Sequence, residues 1–120
     1  MITGVFRDGH PYVPVTIFGQ ATALDVDFIV DTGFLGDLVL SRDVVAQLGL
    51  PFLSRRTCRL ATGEEERFDV HIVTITWLEG QREVDVLVMD GDPLLGTGLL
   101  LGMLFQVEGI EGGEVVIEIL

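Results

Sequence analysis

Phe28-Ile29-Val30-Asp31-Thr32-Gly33 runs from three large apolar residues straight into a carboxylic acid, a hydroxyl and a glycine. A short run of aromatic and β-branched residues reads as a buried strand, so Asp31 falls where the chain leaves the core and its carboxylate is half desolvated. Gly33 lets the backbone turn tightly and brings its N–H towards that carboxylate, while the Thr32 hydroxyl can hydrogen-bond to backbone and lock the loop. Two carboxylates held a few ångströms apart share one proton, so that one serves as acid and the other as base. A water between them can then attack an amide while the acid protonates the carbonyl oxygen, with no metal and no covalent intermediate. As a bare triplet Asp-Thr-Gly is equally a turn, and the flanking sequence has to separate the two readings.

Upstream, Val13, Val15 and Ile17 alternate with other residues behind Pro11, and Ala23 to Val30 alternates before becoming wholly apolar. Both are strands, and Phe18-Gly19-Gln20 between them makes a hairpin. Downstream, Leu38-Val39-Leu40 is a short buried strand. Ser41 then caps a helix with Val44, Val45 and Leu48 on one face, closed by Gly49 and Pro51.

Arg55 to Leu60 and Arg67 to Trp77 form a long hairpin about the turn Ala61-Thr62-Gly63-Glu64. The apolar phase of its second arm changes from Phe68, Val70 and Ile72 to Val73, Ile75 and Trp77, as a β-bulge would cause. After Glu79-Gly80-Gln81 comes a strand from Arg82 to Met89, broken by Gly91-Asp92-Pro93. Leu94-Leu95-Gly96 leads into a short helix expected from Thr97 to about Leu104, and a strand from Val115 to Leu120 follows the glycine-rich turn at Gly109 to Gly113. Turn signals every ten or so residues, without linker or repeat, describe one all-β domain over residues 1 to 120.

Composition removes several other functions. The 120 residues are 48% hydrophobic, enough for a core, and 19 Asp and Glu against 7 Arg with no Lys give a net charge of −12. A phosphate backbone is repelled by such a chain, so no nucleic acid is expected. His10 and His71 stand far apart and Cys58 is the only cysteine, which leaves no zinc spacing and no intrachain disulfide. Gly96-Thr97-Gly98 is no dinucleotide loop, because Asp90 to Leu95 separates it from the preceding strand and no βαβ succession surrounds it. Cys58 has arginines rather than a histidine base beside it, so it is a poor nucleophile. Neither cofactor nor metal is expected. The longest apolar region, Leu94 to Phe105, is too short and glycine-interrupted to span a bilayer, so no membrane partner is expected and the location is read as cytoplasmic.

With these elements in order, the chain resembles the retropepsin-like aspartic proteases, in particular their small single-domain prokaryotic members. Phe28 to Leu40 is similar to the family's active-site loop, Leu60-Ala61-Thr62-Gly63-Glu64 to the tip of its substrate-closing flap, and Leu94-Leu95-Gly96 with the segment behind it to the element packed beneath the catalytic loop. The resemblance covers Val13 to Leu120. It implies a closed barrel of six to eight strands with one or two short helices. Asp31 is then the catalytic acid, Thr32, Gly33 and Phe34 its support, Ala61, Thr62 and Gly63 the flap, and Leu94, Leu95 and Gly96 the packing motif. Only one triplet exists, and Asp37, Asp43, Asp90 and Asp92 lie in no similar setting, so the second carboxylate comes from another copy. The implied function is a homodimeric aspartic endopeptidase acting on peptide or protein substrates, with the terminal strand Val115 to Leu120 pairing either in an intersubunit sheet or within its own chain. The alternative is a catalytically weak or inactive dimerisation or peptide-binding module of the same fold, since many members have Ala or Ser where this chain has Phe34.

Overall fold

The computed structural model describes residues 1–120, and its strands form a single ten-stranded sheet. The hairpin of β2 (His10–Phe18) and β3 (Ala23–Val30) pairs from Tyr12 opposite Ile29 to Phe18 opposite Ala23. Alternation along β2 buries Val13, Val15 and Ile17, whereas Phe28, Ile29 and Val30 are all buried where β3 enters the interior. After β4 (Leu38–Leu40), the helix α1 (Arg42–Leu48) starts and stops as its sequence requires. The Ser41 hydroxyl accepts the Val44 N–H at 3.4 Å, and Gly49 takes a left-handed φ of 63°.

The remaining strands are β5 (Phe52–Arg59), β6 (Glu65–Trp77), β7 (Gly80–Val88), β8 (Leu94–Leu95), β9 (Met103–Val107) and β10 (Glu114–Ile119). Contacts of Ile17 with Ile75 and Phe18 with Thr74 pair β2 to β6, closing β2, β3, β8, β4, β7 and β6 into a ring of six strands. The fold is therefore all-β, with its core inside that ring: Phe28, Leu38, Leu40, Ile75, Val86 and Leu95 are fully or almost fully buried there. No helix is long and apolar enough to cross a membrane.

Two expectations need correction and two features go beyond the reading of the sequence. A first strand, β1 (Ile2–Arg7), precedes β2 and joins it through Asp8-Gly9, both at positive φ (52° and 80°), the two-residue hairpin geometry that Asp-Gly favours.

The expected helix from Thr97 to about Leu104 is one turn of 3-10 helix, Thr97–Leu99. It is capped by Leu100, a turn with Gly102 at φ 77° follows, and Met103 onwards extends as β9 because β10 supplies a ladder partner.

The β-bulge lies on β5, where Leu53 is the extra residue opposite Val70 and His71, while β6 pairs with β7 in unbroken register. The phase change in β6 arises because its two faces meet different clusters: Val70 packs with Val39 and Leu87, and Val73, Ile75 and Trp77 enter the main core.

Lastly, of the two pairings open to the terminal strand, the one within its own chain is present: β10 lies between β9 and β1, which takes up Glu114 to Ile117.

Candidate active site

Asp31 leaves the end of β3 half-buried, its N–H donating to the Leu95 carbonyl at 2.9 Å. Its carboxylate Oδ1 accepts the Gly33 N–H at 2.8 Å, and its carbonyl accepts the Phe34 N–H at 3.2 Å. The carboxylate is thus turned by its own loop, as the sequence suggested, although Gly33 does not need a positive φ. What restricts position 33 is space: a Cβ there would lie 3.2 Å from Asp31 Oδ1. Thr32 is exposed and its hydroxyl makes no hydrogen bond within the chain, contrary to the expected bond to backbone. The hydroxyl that does brace the loop is that of Thr97, donating to Phe34 O at 3.3 Å.

Leu94, Leu95 and Gly96 lie directly against this loop. Leu94 and Leu95, as β8, pair in parallel with Ile29 and Val30 of β3 and antiparallel with Leu38 and Val39 of β4, a wedge between the strands on either side of the triplet. Beyond the wedge the backbone fastens onto the loop. Gly96 N–H donates to Asp37 O at 2.8 Å, Thr97 N–H to Phe34 O at 2.8 Å and Gly98 N–H to Gly36 O at 3.0 Å. Gly96 is buried so closely that an added Cβ would fall on the Gly36 carbonyl and within 2.6 Å of the Phe34 carbonyl. The Phe34 ring lies over Gly36 and Gly96, filling the space that both glycines leave.

The triplet loop separates two depressions. The larger, about 440 Å³, lies between Gly33 to Leu38 and the β5 arm of the hairpin, whose Arg56, Cys58 and Arg59 form the opposite wall. The smaller, about 370 Å³, holds Asp31 and Thr32 beside His10 and Asp92. Ala61, Thr62 and Gly63 sit at the exposed hairpin tip and line neither. The turn there is held by Leu60 N–H to Glu64 O at 2.8 Å and Gly63 N–H to Leu60 O at 2.9 Å, with Gly63 at φ 88°.

Arg56, Cys58, Arg59 and Asp85 were not read from the sequence as site residues. Arg56 reaches over β6 to Asp85 at 3.2 Å, and the Asp85 N–H donates to Asp37 Oδ2 at 3.2 Å, linking the hairpin arm to the loop. No sequence motif marks that chain of contacts, because it depends on which strands lie side by side.

The chain belongs to the aspartyl protease family, whose sequence profile matches residues 13–105. Its fold is similar to that in a crystal structure of a retropepsin-like aspartic protease from Rickettsia conorii, with a TM-score of 0.60 over 98% of this chain and 91% of that one, at 19% identity. At that identity the likeness speaks for the fold alone. A search of curated proteins gives no match.

Proposed function

We propose that the protein is an aspartic endopeptidase that acts as a homodimer, with Asp31 from each copy forming the acid–base pair. The observation that carries this reading is the Asp31 carboxylate, aimed by the Gly33 N–H on a loop that Gly96, Thr97 and Gly98 clamp from below, in a member of this family. Fixed placement is what a shared-proton pair needs, since small displacements of the acid and base are costly. One Asp31 takes a proton from the attacking water while the other protonates the amide carbonyl; the first then gives its proton to the leaving nitrogen as the second recovers one from the gem-diol, which restores the pair. Thr32, exposed and without a partner in its own chain, is free to bond across the dimer. The peptide lies extended across the triplet loop, from the depression that holds Asp31 into the cleft beside the β5 arm, with Ala61, Thr62 and Gly63 closing over it as the flap.

Asp31→Asn keeps the shape of the side chain and removes the acid. Cleavage of a peptide library by the purified variant is expected to fall by at least about 10³-fold with folding unchanged; cleavage at the wild-type rate would sink the assignment. The Phe34 ring in the floor of the cleft favours a second reading, a peptide-binding module with little or no turnover. Binding of library peptides without cleavage by wild type, at both acidic and neutral pH, would establish that one instead.

A further inference from the structure

We propose that β9 is the strand through which two copies of this chain join, edge to edge and antiparallel across a two-fold axis. The choice of a second copy rests on the dimeric reading above, because one chain carries half of the Asp31 site. The sheet ends in two open edges, β5 and β9, and they are built differently. Arg55, Arg56 and Arg59 and the bulge at Leu53 guard β5, the devices by which natural sheets discourage pairing with other chains. Met103-Leu104-Phe105-Gln106-Val107 has no charge, no proline and no irregularity in its register with β10. An unguarded apolar edge of this kind is a template for another strand. Leu101, Ile119 and Leu120, exposed by 78%, 68% and 82%, gather at its start, since Met103 pairs with Ile119 and the Leu120 N–H bonds to Gly102 O.

The phase of the ladder says which groups are available. Glu108 N–H donates to Glu114 O and Leu120 N–H to Gly102 O, so the even-numbered residues of β9 turn their polar backbone groups towards β10. By the alternation of antiparallel pairs, Phe105 and Val107 turn theirs outwards. A two-fold centred on Phe105 lets each Phe105 N–H reach the other copy's Phe105 carbonyl, and each Val107 N–H the other copy's Met103 carbonyl. The Met103 N–H is already committed to Leu100 O. The segment entering β9 is also the one fastened to the Asp31 loop through Gly98 and Gly36, so a joint at β9 ties the dimer to the floor of the site. Short strands and a few flanking leucines make a small, reversible interface.

Sedimentation over a range of concentrations, with residue-resolved amide exchange, tests this. Wild type is expected to dimerise reversibly, and the Phe105 and Val107 amides to exchange at least about tenfold more slowly as it does. Val107→Pro deletes an outward N–H that the β10 ladder does not use, at an edge position where proline is tolerated. It is expected to weaken the dimer at least about tenfold, with the unfolding midpoint unchanged at concentrations low enough for both proteins to be monomeric. Val107→Lys, which leaves the backbone alone, is expected to act in the same direction. A monomer at every concentration, or a dimer in which those amides and both variants behave as though β9 were still open to solvent, overturns the proposal. A β9-linked dimer that cleaves nothing sinks the protease reading instead, and Asp31-dependent cleavage by a dimer insensitive to both variants sinks only this one.

Discussion

The Asp31 loop and the tip of the β5–β6 hairpin face the same substrate in the proposed enzyme, yet they are built in opposite ways. Around Asp31 successive backbone groups are committed: Asp31, Gly96, Thr97 and Gly98 all donate across to a neighbouring segment. Leu95 and Gly96 are buried, and little can change without moving something else. At the tip, residues 61 to 67 are all exposed, and the turn is held by hydrogen bonds among its own residues. A tightly cross-linked loop opens only with much of the fold, whereas a solvent-exposed turn rearranges at small cost. That division suits a reaction needing one immobile carboxylate and one element that opens for the peptide.

Gly96→Ala is the sharpest way to break the comparison. The methyl would meet the Gly36 and Phe34 carbonyls and the Phe34 ring together, and backbone on two sides cannot step aside. A loss of about 3 kcal/mol in urea unfolding is expected, at the upper end of overpacking costs. A loss below about 1 kcal/mol would mean that the loop yields. Phe34→Ala comes next. Its ring is half-buried, lying over Gly36 and Gly96 and packed against the cluster of Val39, Val70 and Leu87, so truncation leaves a gap rather than a clash. The expected cost is about 2 kcal/mol, below that of a fully buried phenylalanine, with the 440 Å³ cleft enlarged. If the ring obstructs the cleft, peptide turnover by this variant rises despite the lost stability; turnover that falls with stability would assign the ring a supporting role.

Much of the rigid region was legible in the sequence because its signals are local. The apolar run before Asp31 and the Ser41 and Gly49 caps of α1 each dictate structure within a few residues, whereas Gly96 answers to Gly36 and Phe34, distant in the chain, and is legible only through the family resemblance. The run Thr97 to Leu104 misled because it suits a helix as well as a strand, and only pairing with β10 decides. β1 was missed although Asp8-Gly9 signalled it. The arginine wall of the cleft and the open edge at β9 had no local signal, because both depend on strand order.

The hairpin should give the smallest effect, and Gly63→Ala measures it. At φ 88° alanine is strained, but nothing lies within 4 Å of the added methyl. The cost is the backbone conformation alone, about 1 kcal/mol. Because the tip is exposed and bonded only within itself, that strain can be relieved by local opening, so the global unfolding midpoint should hardly move. Amide exchange at Gly63 and Glu64, whose N–H groups bond to Leu60 O and the Thr62 hydroxyl, should accelerate by about fivefold, the equivalent of that energy. If the penalty appears instead in global unfolding, the tip is coupled to the core as firmly as the Asp31 loop, and the division between a fixed floor and a yielding roof fails.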